Sequence, residues 1–169
     1  MGRALLVIDI QNDYFPGGVL PLHAADAVEE RIVAAIERAR LAGDRIVLIR
    51  HVSQARTGLF AAGGSGSSLR PAILAAAGEA PVVIKRVADA FQDTDLARHL
   101  QGVSEVLICG MMTQNCVVFT AMSQAAAAFD VTVLGDLCAA PSEVVHLIAL
   151  NALGSKLRVA NAVDVWPVD

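Results

Sequence analysis

The sequence predicts an α/β protein: a three-layer, doubly wound, Rossmann-like sheet of six parallel strands with helices on both faces. Three observations predict it. Short apolar runs without polar alternation recur along the chain, the pattern of strands buried on both faces. Several of them alternate with stretches of 3.6-residue apolar periodicity, and glycines (Gly43, Gly154) stand where two of those stretches stop. The length of 169 residues suits one core, so residues 1–169 are read as a single domain.

Residues 4–8 (ALLVI) form the first strand. Residues 26–41 follow as a helix with Val28, Ile32, Val33, Ile36 and Ala39 on one face. Residues 45–51 (RIVLIRH), 81–84 (PVVI) and 105–109 (EVLIC) read as the second, third and fourth strands. Residues 114–129 read as one long helix, 131–134 as the fifth strand, 142–153 as a helix and 156–160 as the sixth strand. Between the second and third strands, residues 53–71 (SQARTGLFAAGGSGSSLRP) form a Gly- and Ser-rich loop, long enough to be a lid or a mobile segment. No strand leads into its GGSGSS, no helix opens on it and no Lys follows, so a phosphate cradle is not the expected reading.

Composition excludes several function classes. With 55% apolar and 18% charged residues the chain is not disordered. A net charge of −4 leaves no broad basic surface, so nucleic acid is not an expected partner. No apolar run approaches the roughly 20 residues that span a bilayer, so a membrane is not expected either. The opening MGRALLVIDIQND, broken by Asp9, does not read as a secretory signal. Three cysteines, an odd number without regular spacing, argue against a disulfide framework and for a reducing cytoplasm.

In a parallel α/β sheet the ligand crevice lies outside the carboxyl ends of the strands. Three polar residues interrupt the apolar runs there. Asp9 ends the first strand, where a desolvated carboxylate needs a partner; a turn-capping role suits Asp13 better. Lys85, one of two lysines against eleven arginines, ends the third strand, either facing solvent or supplying Asp9 with a counterion. Cys116 opens the long helix, where the dipole and Lys85 are expected to lower its pKa; Cys109 and Cys138 read as small buried hydrophobes. The first-turn amides beside Cys116 suit an oxyanion. A nucleophile, a base and a charge organiser at three strand ends describe a small-molecule active site. A nucleotide-binding module does not fit, because the Gly-Gly of IQNDYFPGG stands too far from a helix start.

Four ordered segments, LLVIDIQNDYFPGG, VIKRVADAFQDTDLARHL, LICGMMTQNCVVFTAMSQA and VLGDLCAAPSEVVHLIALNAL, carry a resemblance that runs from the first strand to the sixth. The chain resembles the isochorismatase-like cysteine hydrolase superfamily. That resemblance implies the catalytic residues Asp9, Lys85 and Cys116. It also implies a cis peptide between Met111 and Met112 and an oxyanion hole from the Met112 and Cys116 N–H groups. Tyr14 is implied as a pocket wall, with Phe91 and Phe60 as further candidates, although core packing is the preferred reading of Phe60. His51 either touches substrate or closes a strand end. Nicotinamidases of the family carry an Asp-x-His…His metal site after the second strand; here only His51 stands in that region, so no metal and no cofactor are expected. Isochorismatases proper lack the cysteine, so Cys116 points to C–N bond hydrolysis of a small amide, ureido or carbamoyl substrate. A nicotinamidase-type amidase without the metal site, or a silent ligand-binding or assembly member, is the alternative. Asp93 stands where relatives often have Gly. A homo-oligomer, dimer or tetramer, is implied, and a mean hydropathy of +0.55 suits it.

Overall fold

Six apolar runs become six strands, and every pairing between them is parallel. The structure is a computed structural model that describes residues 2–167. β1 (Gly2–Ile8), β2 (Arg45–His51), β3 (Val82–Lys85), β4 (Val103–Met111), β5 (Asp130–Ala139) and β6 (Arg158–Ala160) form one sheet in the order β3-β2-β1-β4-β5-β6. Successive strand side chains point to opposite faces, which divides the core into two layers. Leu5, Val7, Ile46, Leu48 and Leu107 pack under α1 (Ala25–Leu41) and α2 (Pro71–Ala77), with Ala162 of a short α6 (Ala162–Val165) beside them. Leu6, Ile8, Val47, Ile49 and Ile108 face α3 (Leu96–His99), α4 (Val118–Ala121) and α5 (Glu143–Gly154). Each such buried aliphatic contributes roughly 1.5–3 kcal/mol. The three-layer architecture expected from the sequence is the one observed.

One expected helix is interrupted, and the short helices α2, α3 and α6 are additions to the elements read from the sequence. The long helix over 114–129 is broken into a π-helical turn (Thr113–Val117), α4, and a separate 3-10 turn (Ala125–Ala128). Ser123 lies at the break; its hydroxyl accepts the Ala125 N–H at 3.3 Å, a local bond that competes with helix continuation. The Gly/Ser-rich loop is not free. Buried Gln11 donates to Ser67 O at 2.8 Å, and Asp13 Oδ2 accepts the Phe60 N–H at 2.7 Å. Arg50 donates from Nε to Ser67 O at 2.8 Å, and Gln11 forms an isolated antiparallel bridge with Leu69. Gly66 is required by this docking, since a Cβ there would lie 2.1 Å from Asp13 Oδ1.

The strand order reverses direction between β1 and β4, and a parallel α/β sheet opens its ligand crevice at such a switch point. Gly110 lets the two strands approach there. Its φ is +126° and a Cβ would stand 2.1 Å from Ile8 O, one residue from Asp9.

Candidate active site

Asp9, Lys85 and Cys116 reach one point from three elements. Asp9 is the first residue after β1 and takes φ = 53°, a left-handed conformation that Asp tolerates better than most residues. Its N–H still donates to Ile49 O at 3.1 Å, so the chain turns out of the sheet only after its last ladder bond. Lys85 closes β3 in register with His51 of β2. Cys116 lies in the π-helical turn that follows β4.

The Lys85 ammonium is the hub. Nζ lies 2.9 Å from Asp9 Oδ2 and donates to Cys116 Sγ at 3.2 Å and to Val87 O at 3.0 Å. His51 Nδ1 stands 3.1 Å away on another side. Asp9 and Lys85 are 0% exposed and Cys116 is 1% exposed. The Asp9–Lys85 contact has ion-pair distance without hydrogen-bond angles, which leaves both Asp9 oxygens without a hydrogen-bond partner among the described residues. A buried carboxylate with free lone pairs, within 4.8 Å of a thiol sulfur, is placed to take that thiol's proton.

Charge counting decides the resting state. Burial lowers the pKa of Lys85, but Asp9 and then Cys116 outweigh it and raise the ammonium. Burial pushes the Cys116 thiol up to about 12; Asp9 adds to this, and Lys85 opposes it. One cation cannot offset two anions in the same dry space. The expectation of a depressed thiol pKa is therefore corrected: Cys116 rests as a thiol. The broken helix contributes to the same outcome, because a π turn joined to one α turn offers less dipole than a long helix. Cys109 and Cys138 are free and buried as expected, and burial raises both thiols.

Around the triad, Tyr14 and His51 are brought together by Phe60. The Tyr14 ring meets Phe60 edge-on at 4.8 Å, and His51 lies against Phe60 at 5.5 Å. Burial raises the Tyr14 phenol, with Asp9 next and then Cys116, so the phenol shares the triad's field. Burial, then Lys85, lowers the His51 pKa, which suits a neutral ring accepting at Nδ1. Phe91, half-buried, stacks on Phe129 at 6.2 Å, beside the start of β5. Phe60 is core, as preferred, and also carries the Tyr14–His51 wall. Asp93 adopts φ = 55°, the left-handed region that favours glycine.

Two residues escaped the sequence reading. Gln11 is fully buried and bonded on both sides to the end of β2, donating to His51 O at 2.7 Å and accepting the His51 N–H at 2.8 Å. Asp13 accepts the Val19 N–H with Oδ1 at 3.3 Å, the turn role read from the sequence, and its other oxygen also latches the loop through Phe60. The available signal was their polarity between apolar Ile10 and Tyr14.

Asp9, His51 and Cys116 also form a donor set of the kind that holds a metal ion, their ligand atoms all within 4.8 Å of one another. The set does not fit a metal as it stands. The Lys85 ammonium lies 2.9–3.2 Å from all three and takes the place a metal cation would need.

The fold is of the parallel α/β class, with a buried polar cluster at the carboxyl ends of the strands. The chain belongs to the isochorismatase family: the model of the Isochorismatase domain matches residues 3–164. It is 29% identical to YddQ, an uncharacterised isochorismatase family protein of Bacillus subtilis, over 96% of this chain and 98% of that protein. An isochorismatase hydrolase structure from Oleispira antarctica superposes with a TM-score of 0.90 at 28% identity, covering 99% of this chain and 97% of that one. The pyrazinamidase of Pyrococcus horikoshii, solved in complex with zinc, gives a TM-score of 0.80 at 25% identity over 95% of this chain and 99% of that one. No helix among the described residues is long and apolar enough to cross a membrane.

Proposed function

We propose that this isochorismatase-family hydrolase cleaves the C–N bond of a small amide, ureido or carbamoyl substrate through a thioester on Cys116. One observation carries the reading: Lys85 Nζ bridges Asp9 Oδ2 at 2.9 Å and Cys116 Sγ at 3.2 Å, with all three side chains buried. Asp9 takes the Sγ proton as the sulfur attacks the carbonyl carbon, so no free thiolate has to precede the substrate. The Met112 and Cys116 N–H groups hold the oxyanion. Collapse breaks the C–N bond, and Asp9 returns the proton to the departing nitrogen. Water then attacks the thioester; Asp9 takes a water proton and passes it to the sulfur as the acid leaves. Lys85 offsets the Asp9 charge throughout. Tyr14 and His51, held by Phe60, wall the substrate pocket.

A nicotinamidase-type amidase is the second reading, favoured by the likeness to the pyrazinamidase. Ammonia release from a panel of nicotinamide, pyrazinamide, ureido and carbamoyl compounds separates the two. Cys116→Ala should abolish turnover of whichever compound is active and leave the far-ultraviolet spectrum unchanged; retained turnover overturns the thioester route. The reading includes a homo-oligomer. Val144, Leu147 and Ile148, spaced along one face of α5, are 66%, 56% and 65% exposed, and light scattering in solution tests it. It also includes a cytoplasmic setting, in keeping with three free cysteines.

A further inference from the structure

α5 packs against the turn that carries Cys116, and one polar contact joins them: Thr113 Oγ1 and His146 Nδ1 lie 2.8 Å apart. Thr113 is 0% exposed, and this is the only hydrogen bond of its hydroxyl among the described residues. Thr113 directly follows Met112 and opens the turn that contains Cys116, the two residues whose N–H groups are assigned to the oxyanion. On its other side the half-buried His146 ring lines a cavity of about 160 Å³ with His23, Arg31, Ser142 and Glu143, across the carboxyl end of β5. Burial lowers the His146 pKa, with Glu143 opposing and Arg31 and His23 adding, so the ring is neutral near pH 7.

We propose that His146 is a positioning residue for the oxyanion turn, acting through the Thr113 hydroxyl. No hydrogen bond or ion pair joins it to Asp9, Lys85 or Cys116 among the described residues. Its work is to fix the direction of the Met112 and Cys116 N–H groups when the acyl carbon becomes tetrahedral. The inference rests on the proposed thioester chemistry, and it has a signature that a general structural role lacks. Attack of Sγ on a carbonyl needs the oxyanion donors; displacement of iodide from the saturated carbon of iodoacetamide by the same sulfur does not.

The test uses the full chain and two reagents. With p-nitrophenyl acetate, Sγ bonds to the acyl carbon, the C–O bond breaks, p-nitrophenolate leaves and Asp9 takes the thiol proton; the burst rate measures this acylation. His146→Leu should slow the burst about tenfold, while alkylation of Cys116 by iodoacetamide stays within about twofold. His146→Asn, which offers an amide near the Nδ1 position, should restore the burst to within about threefold. Thr113→Val should reproduce the Leu variant, and the double variant should be no slower than either single one. An unchanged burst in His146→Leu, or a parallel fall in burst and alkylation, overturns the positioning role while the thioester reading stands. A burst that survives in Cys116→Ala, or no burst in the wild type, overturns both.

Discussion

Replacing Asp9 with Asn should make Cys116 more acidic and the protein inactive. In the wild type, burial and then Asp9 hold the thiol at about 12, against the pull of Lys85. The carboxylate oxygen and the sulfur lie within 4.8 Å, so at an effective dielectric of about 20 their charges interact by about 3.5 kcal/mol. That corresponds to about 2.5 pH units in the thiol's titration. With Asn in place, Lys85 faces a single anion, and its 3.2 Å contact with Sγ becomes a charge-assisted hydrogen bond to a thiolate. The midpoint should fall from about 12 to roughly 9–10. The assay is a pH titration of thiolate ultraviolet absorbance, with the matching Cys116→Ala protein subtracted so that Cys109 and Cys138 cancel. Turnover should vanish in the same variant, because no carboxylate remains to carry the proton. More thiolate with less activity separates a base from a mere counterion. A midpoint that stays put or rises, or turnover that survives, would refute the reasoning.

The remaining expectations follow from the same contacts. Lys85→Met leaves Asp9 buried without a countercharge, so urea unfolding should show a loss of about 3–5 kcal/mol. Gly110→Ala meets both a φ of +126° and a contact 2.1 Å from Ile8 O; a loss of about 3 kcal/mol or more is expected, together with lowered activity from displacement beside Asp9. Gln11→Ala should speed amide hydrogen exchange over residues 53–70, measured by mass spectrometry, because it removes the bonds to His51 and Ser67. Stability should also fall on the alkaline side. The folded Cys116 and Cys138 thiols stand at about 12 against an ordinary 9.0, so the unfolded chain loses protons first and stability drops between those values; chemical unfolding across that range checks it.

The sheet was legible because burial on both faces writes itself as uninterrupted runs such as Leu5–Leu6–Val7–Ile8, and the triad because polar residues end those runs at Asp9 and Lys85. What stayed hidden depends on distances between segments far apart in the chain. The helix break at Ser123 turns on a hydroxyl competing with one backbone bond, in a stretch whose apolar periodicity continues through it. The Gln11 and Asp13 latch needs the loop's Ser67 and Phe60 backbone, more than forty residues away, to arrive opposite them. The Cys116 titration was misjudged for a related reason. Position at a helix start and a nearby Lys are visible in sequence, whereas complete burial beside Asp9 is not, and burial outweighs both. Phe91 shows the same limit, since nothing in the sequence brings its ring onto Phe129, 38 residues further along the chain.

The most direct measurement is mass spectrometry of the acid-quenched enzyme during turnover of an amide that releases ammonia. An acyl group confined to the Cys116 peptide, absent from Cys109 and Cys138 and formed as fast as the ammonia burst, is the expected result. Ammonia release with no acyl group on Cys116, undiminished in Cys116→Ala, would contradict it.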